Sequence, residues 1–148
     1  MRIAFAVPVA LAALCACGSS SPPAATQAGL GDPNVRAKLR ALALQASSAD
    51  GVSSPGTMIA VASADHQAAE KIVSGDIVND HAPVYVVEMT GGPFTAKNAS
   101  VPPGAATPQG NVLTLTVNAL TFGVTDVSLT SNAPDLTQIS SDVVDLAQ

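Results

Sequence analysis

Residues 84–90, Val-Tyr-Val-Val-Glu-Met-Thr, constrain this chain more than any other stretch. Pro83 precedes them and Gly91-Gly92-Pro93 follows, so the run is bounded on both sides by residues that break regular structure. Within it Tyr85, Val87 and Met89 alternate with Val84, Val86 and Glu88, and an extended strand made of them is apolar on both sides for most of its length. That pattern predicts a central place in a sheet. Glu88 is the one charge in the run. Buried, its carboxyl would have a raised pKa and be a candidate functional acid; near the strand end, one face would reach water.

The other elements arrange themselves around this strand. Asp32-Pro33 is a helix start, with Asp able to cap free N–H groups and Pro suited to the first helical position. Val35, Leu39, Leu42, Ala43 and Ala46 then fall on one helical face, with Arg36, Arg40 and Lys38 at its edges, and the helix should end near residues 47–51. Residues 57–62 read as a strand. Ser63 can cap a short second helix, with Asp65 in its first turn and Ala68, Ala69, Ile72 and Val73 as a narrow apolar stripe before Gly75. Residues 94–97 can return as a short strand, and 98–111, with three prolines and two glycines, are too broken for regular structure. Residues 112–117 and 124–129 make a hairpin around 118–123. The expected fold is α+β, a small single domain over residues 32–131 with an antiparallel sheet of about four strands and one or two helices packed on one face. Residues 132–148 read as an acidic C-terminal tail, partly ordered at most.

Before Cys17 the chain carries a single positive charge, Arg2, and then an uncharged apolar run, which is the layout of an export signal. Residues 3–16 would cover only about 21 Å as a helix, short of the ~30 Å hydrocarbon core of a bilayer, so a permanent span is not expected. Leu14-Cys15-Ala16-Cys17-Gly18 resembles the signal of bacterial lipoproteins, which places Leu three residues before the modified Cys and a small residue just before it. The resemblance implies cleavage after Ala16, a diacylglyceryl group on Cys17 and a membrane anchor on the extracytoplasmic face. An ordinary secretory signal cut at a small-x-small site is the alternative. Residues 17–31 would then be the lipidated Cys and a flexible linker rich in Ser, Pro and Ala.

Cleavage would remove Arg2 and leave five Lys plus Arg against eleven Asp plus Glu, a formal charge of −6. With no Trp, 3% aromatic residues and no basic residue after Lys97, nucleic acid is not an expected partner. The folded part would hold no cysteine, so its stability would come from an aliphatic core without disulfides.

Residues 65–129 also resemble the PepSY-type domain of secreted and membrane-attached bacterial proteins. Val84-Tyr85-Val86-Val87 and residues 117–124 carry the likeness, with Asn118 where the family turn has Asp and Phe122 inserted. The likeness implies a helix, antiparallel strands and a final hairpin, and a role in inhibiting or regulating envelope peptidases.

Chemistry-bearing motifs are sparse. His66 and Glu70 stand four apart on a predicted helix, with Asp80-His81 shortly after, but a zinc site wants three or four converging ligands and no HExxH or Cys set is present, so no metal or other cofactor is expected. A GxSxG elbow and a GxxxxGK[ST] loop are both lacking, and no catalytic residue is expected. Length and proline content make the 98–111 loop the expected contact surface, with Val101, Pro102, Pro103 and Pro108 as partner-binding candidates. The chain therefore reads as a monomeric, non-catalytic envelope lipoprotein that binds or regulates another envelope protein or wall-layer ligand. A lipid-anchored small-molecule or metal carrier is the alternative.

Overall fold

The computed structural model describes residues 27–148. Its elements run α1 (Pro33–Ala49), β1 (Thr57–Ser63), α2 (His66–Val73), β2 (Val84–Thr95), β3 (Gln109–Asn118), β4 (Val124–Thr130), a 3-10 turn (Leu136–Gln138) and β5 (Val144–Asp145). The fold is α+β, with one five-stranded sheet in the order β4-β3-β2-β1-β5 and every neighbouring pair antiparallel. No helix among the described residues is long and apolar enough to cross a membrane.

Local chemistry sets the helix ends. Asp32 accepts the Asn34 N–H at 2.8 Å, and Pro33 occupies the first turn of α1, where a missing N–H costs nothing. At the other end Gly51 takes φ +94°, and the Val52 N–H bonds back to the Ser47 carbonyl at 2.8 Å. The cap of α2 is Asp65, which accepts the Ala68 N–H; Ser63 instead closes β1 and accepts the Asp65 N–H. Asp serves better because its carboxylate also meets the positive end of the helix dipole.

β2 is the middle strand, and its two faces meet different partners. Tyr85, Val87 and Met89 face α1 and pack with Val35, Leu39, Ala43, Met58, Ala60, Leu113 and Leu115. Val84 and Val86 face α2 and pack with Val61, Ala69, Val73 and Leu136. The two helices therefore lie on opposite faces, where one covered face was expected. The cause is the strand's own pattern: a run apolar on both sides leaves Val84 and Val86 in water unless something covers them. Burying each side chain of this size contributes on the order of 1.5–3 kcal/mol.

Three boundaries differ from the sequence reading. Residues 94–95 continue β2 and are no return strand; Phe94 pairs with Gly110 after an irregularity between Thr90 and Phe94. Gly91, at φ +94°, lies so close to the neighbouring loop that a Cβ there would stand 2.5 Å from the Gly56 nitrogen. The glycines thus bend one strand where they were read as a stop. Residues 132–148, expected as a loose tail, belong to the domain: Leu136 is buried on the α2 face, Leu146 is buried on the α1 face, and β5 adds to β1 with the Leu146 N–H bonded to the Met58 carbonyl at 2.8 Å. The domain also begins before residue 32. Gln27 Nε2 donates to the Val84 carbonyl at 3.0 Å, the Tyr85 hydroxyl donates to the Ala28 carbonyl, and Leu30 is buried.

Candidate functional site

Two places gather unusual surface. The first lies on the α1 side, where the sheet extends past its helix. β4 is an edge strand, and its Val124 and Val127 are aligned with Val117 and Leu115 on the face that α1 covers further in. α1 does not reach them, and Val127 is 58% exposed. Between them lies a groove of about 610 Å³ with Leu115 in its lining, walled by Leu42, Ala46 and Ala49 of α1 on one side and by Ala96 and Ala99 on another. Asp50 lines the same groove; burial raises its carboxyl above the ordinary range, against a smaller downward pull from Lys97. Leu120, in the turn between β3 and β4, is also exposed.

The second place lies on the α2 side and is polar. His66, in the first turn of α2, is 4% exposed, and Glu70 one turn later is 3% exposed. Asp126 of β4 stands on the same side, because it is aligned with Thr116, itself opposite Val86. The His66 ring is held from both sides: Nδ1 lies 2.8 Å from Asp80 Oδ2 and Nε2 lies 2.8 Å from Asp126 Oδ2. Glu70 Oε1 stands 3.8 Å from the same Nε2. Glu70 is in turn fixed by two hydroxyls, Thr116 donating to Oε1 and Ser74 donating to Oε2, the latter at 3.0 Å. Burial pulls the His66 pKa down, but the hydrogen bonds and charges of Asp80 and Asp126 outweigh it, and the net shift is upward. The bond to His66 holds the Asp80 carboxyl below its ordinary range, helped by the Ala82 N–H. His66, Glu70 and Asp126 offer ligand atoms that all lie within 4.8 Å of one another.

Glu88 lies on the same face as this cluster. It is aligned with Ile59 on one side and Thr114 on the other, in the interior of β2 and away from any strand end. It is 4% exposed, burial raises its pKa, and its Oε2 and the Thr114 Oγ1 are buried without a hydrogen-bond partner. The open-faced position considered for Glu88 from sequence is thereby replaced by the buried one.

The sequence candidates fall in different places. Cys17 and the signal before it lie outside the described residues. Val101, Pro102, Pro103 and Pro108 are all exposed, in the long connection between β2 and β3. The Ala105 N–H bonds to the Pro102 carbonyl at 3.0 Å, and Gly104 takes the positive φ of +84° that this turn needs. None of the four lines the groove; its loop contacts come from Ala96, Asn98 and Ala99, just upstream. Sequence reasoning had set His66 beside Glu70 by helical spacing, but Asp126 is 60 residues from His66, and no local pattern signals that approach. Compared with protein-family models, curated proteins and solved structures, the chain matches none.

Proposed function

We propose that this chain is a cell-envelope lipoprotein, held on the extracytoplasmic face of the membrane through Cys17, whose domain is a non-catalytic binding module. Its occupant is an extended apolar segment of another envelope protein, laid along β4 in the groove beside α1. The observation that carries this reading is the pairing of a sheet edge with an uncovered apolar strip: β4 ends the sheet, and Val124 and Val127 are exposed beside a groove of about 610 Å³. An edge strand presents unpaired N–H and C=O groups to an added strand, and alternate side chains of that strand would reach the groove. The lining is mostly Ala, Leu and Val, and it sets no nucleophile beside a base, which suits binding. Regulation of a peptidase, the role implied by the PepSY likeness, would be one form of such docking.

The test is a short synthetic peptide alternating Val and Thr, added to the full chain and followed by amide hydrogen exchange. Binding should protect the amides of Val124–Thr130, and Val127→Asp should weaken it at least tenfold, about 1.4 kcal/mol. Binding that leaves those amides unprotected, or that tolerates Val127→Asp, would exclude the β4 groove.

A further inference from the structure

We propose that His66, Glu70 and Asp126 form a binding site for a divalent first-row cation such as zinc, with Asp80 orienting the His66 ring from behind. The site is on the α2 face and is independent of the groove on the α1 face.

Charge is the first reason. Three carboxylates, Glu70, Asp80 and Asp126, converge on one imidazole, and no Lys or Arg among the described residues forms an ion pair with any of them. A protonated imidazole balances only one of the three carboxylates; the remaining negative charge sits on Asp80 and Asp126, which are partly exposed, beside the almost wholly buried His66 and Glu70. A divalent ion would neutralise that surplus.

Geometry is the second. Ligand bonds of about 2.0–2.1 Å at tetrahedral angles put neighbouring donor atoms roughly 3.3 Å apart. The separations here, 2.8 Å from His66 Nε2 to Asp126 and 3.8 Å to Glu70, lie on either side of that value. Small side-chain adjustments of about half an ångström in each direction would therefore admit the ion. With Nδ1 bonded to Asp80, Nε2 faces the two carboxylates, and an ion there would take the place of the proton between Nε2 and Asp126, giving the carboxylate-to-histidine-to-metal relay common at such centres. Thr116 and Ser74 hold the Glu70 carboxylate in the same way. Asp80 and Asp126 are partly exposed, with side chains 46% and 38% accessible, so an ion has a route in from solvent.

A further observation lies beside the cluster on the same sheet face. Thr114 stands two residues from Thr116 along β3, opposite Glu88, and both Thr114 Oγ1 and Glu88 Oε2 are buried and unpartnered. One imidazole and two carboxylates suit zinc, manganese or ferrous ion more than a soft metal, and three protein donors leave coordination positions open.

Equilibrium dialysis of the full chain against zinc chloride tests this, alongside Asp126→Asn, Asp80→Asn and, as a control on general carboxylate binding, Asp142→Asn. The parent should bind one zinc per chain and melt at a higher temperature with zinc present. Asp126→Asn should lower affinity at least tenfold, Asp80→Asn about ten- to a hundredfold through loss of ring orientation, and Asp142→Asn should have no effect. Absence of stoichiometric binding overturns the site, and so does equal affinity in the parent and a folded Asp126→Asn. Should that variant not fold, X-ray absorption at the zinc edge of the parent decides: a shell with one imidazole nitrogen and otherwise oxygen supports the assignment, and a shell without imidazole refutes it.

Discussion

Glu88 is an acid buried in the middle of the sheet. It sits between Ile59 and Thr114 on the central strand, one carboxylate oxygen has no partner, and burial raises its pKa from the usual 4.5. A carboxyl whose pKa is higher in the fold than in the open chain holds its proton more tightly when folded. Its contribution to stability is therefore complete below the unfolded pKa and is lost as pH rises through the raised folded value. Glu88→Gln removes the ionisation. The variant should melt above the parent at pH 8, because it escapes the cost of ionising a buried carboxyl, and the gap should close toward pH 4, where both side chains are neutral. Thermal melts of both proteins across that range check it; a gap that does not change with pH would mean that Glu88 ionises without cost.

At the scale of elements, the C-terminal seventeen residues fasten both layers. Leu136 closes the α2 face against Val61 and Val86, and Leu146 enters the α1 core while β5 covers part of the β1 edge. Leu136→Ala and Leu146→Ala should each lower stability by about 2–5 kcal/mol, measurable as a shift of the urea midpoint, because each leaves a cavity in a different core. If the midpoints do not move, the segment is only resting on the domain. That these leucines matter was not legible from sequence, since Leu136 stands alone in a polar stretch and Leu146 follows an apolar pair too short to show the periodicity that marks a helix or strand. α1 was legible because capping residue, first-turn proline and apolar stripe all agree on one start and one face. The centrality of β2 was legible from its two apolar sides, but which helix covers which side was not, because helix placement depends on how the connections cross the sheet. Gly91-Gly92-Pro93 was read as a stop because local chemistry cannot reveal the close approach to Gly56 that those glycines permit. The cation cluster was half visible: helical spacing joins His66 to Glu70, while Asp126 arrives only through the alignment of β4 with β3.

For the whole molecule, the packing of Gln27 and Ala28 against the start of β2 fixes which end of the sheet lies nearest the proposed anchor. Gln27 lies ten positions after Cys17, and even a fully extended chain spans no more than about 3.6 Å per residue, so a lipid on Cys17 keeps Gln27 within roughly 36 Å of the membrane surface. Val84, bonded to Gln27, begins β2, and the turn after Asn118 lies at that same end because Val84 is aligned with Asn118. The 12-residue β2 then rises for about 36 Å, which carries the exposed loop with Val101, Pro102 and Pro103 to the opposite end. Both anchor and polarity are testable on one set of variants. Cys17→Ala should abolish incorporation of labelled palmitate and move the protein out of the membrane fraction, whereas Cys15→Ala should be nearly neutral. A fluorophore placed at Thr121 in the anchored protein should be quenched by a membrane-surface acceptor more strongly than one at Ala105, since the first lies at the tethered end and the second across the length of the sheet. Palmitate labelling that survives Cys17→Ala would refute the anchor, and stronger quenching at Ala105 in a protein that is lipidated at Cys17 would refute the polarity alone.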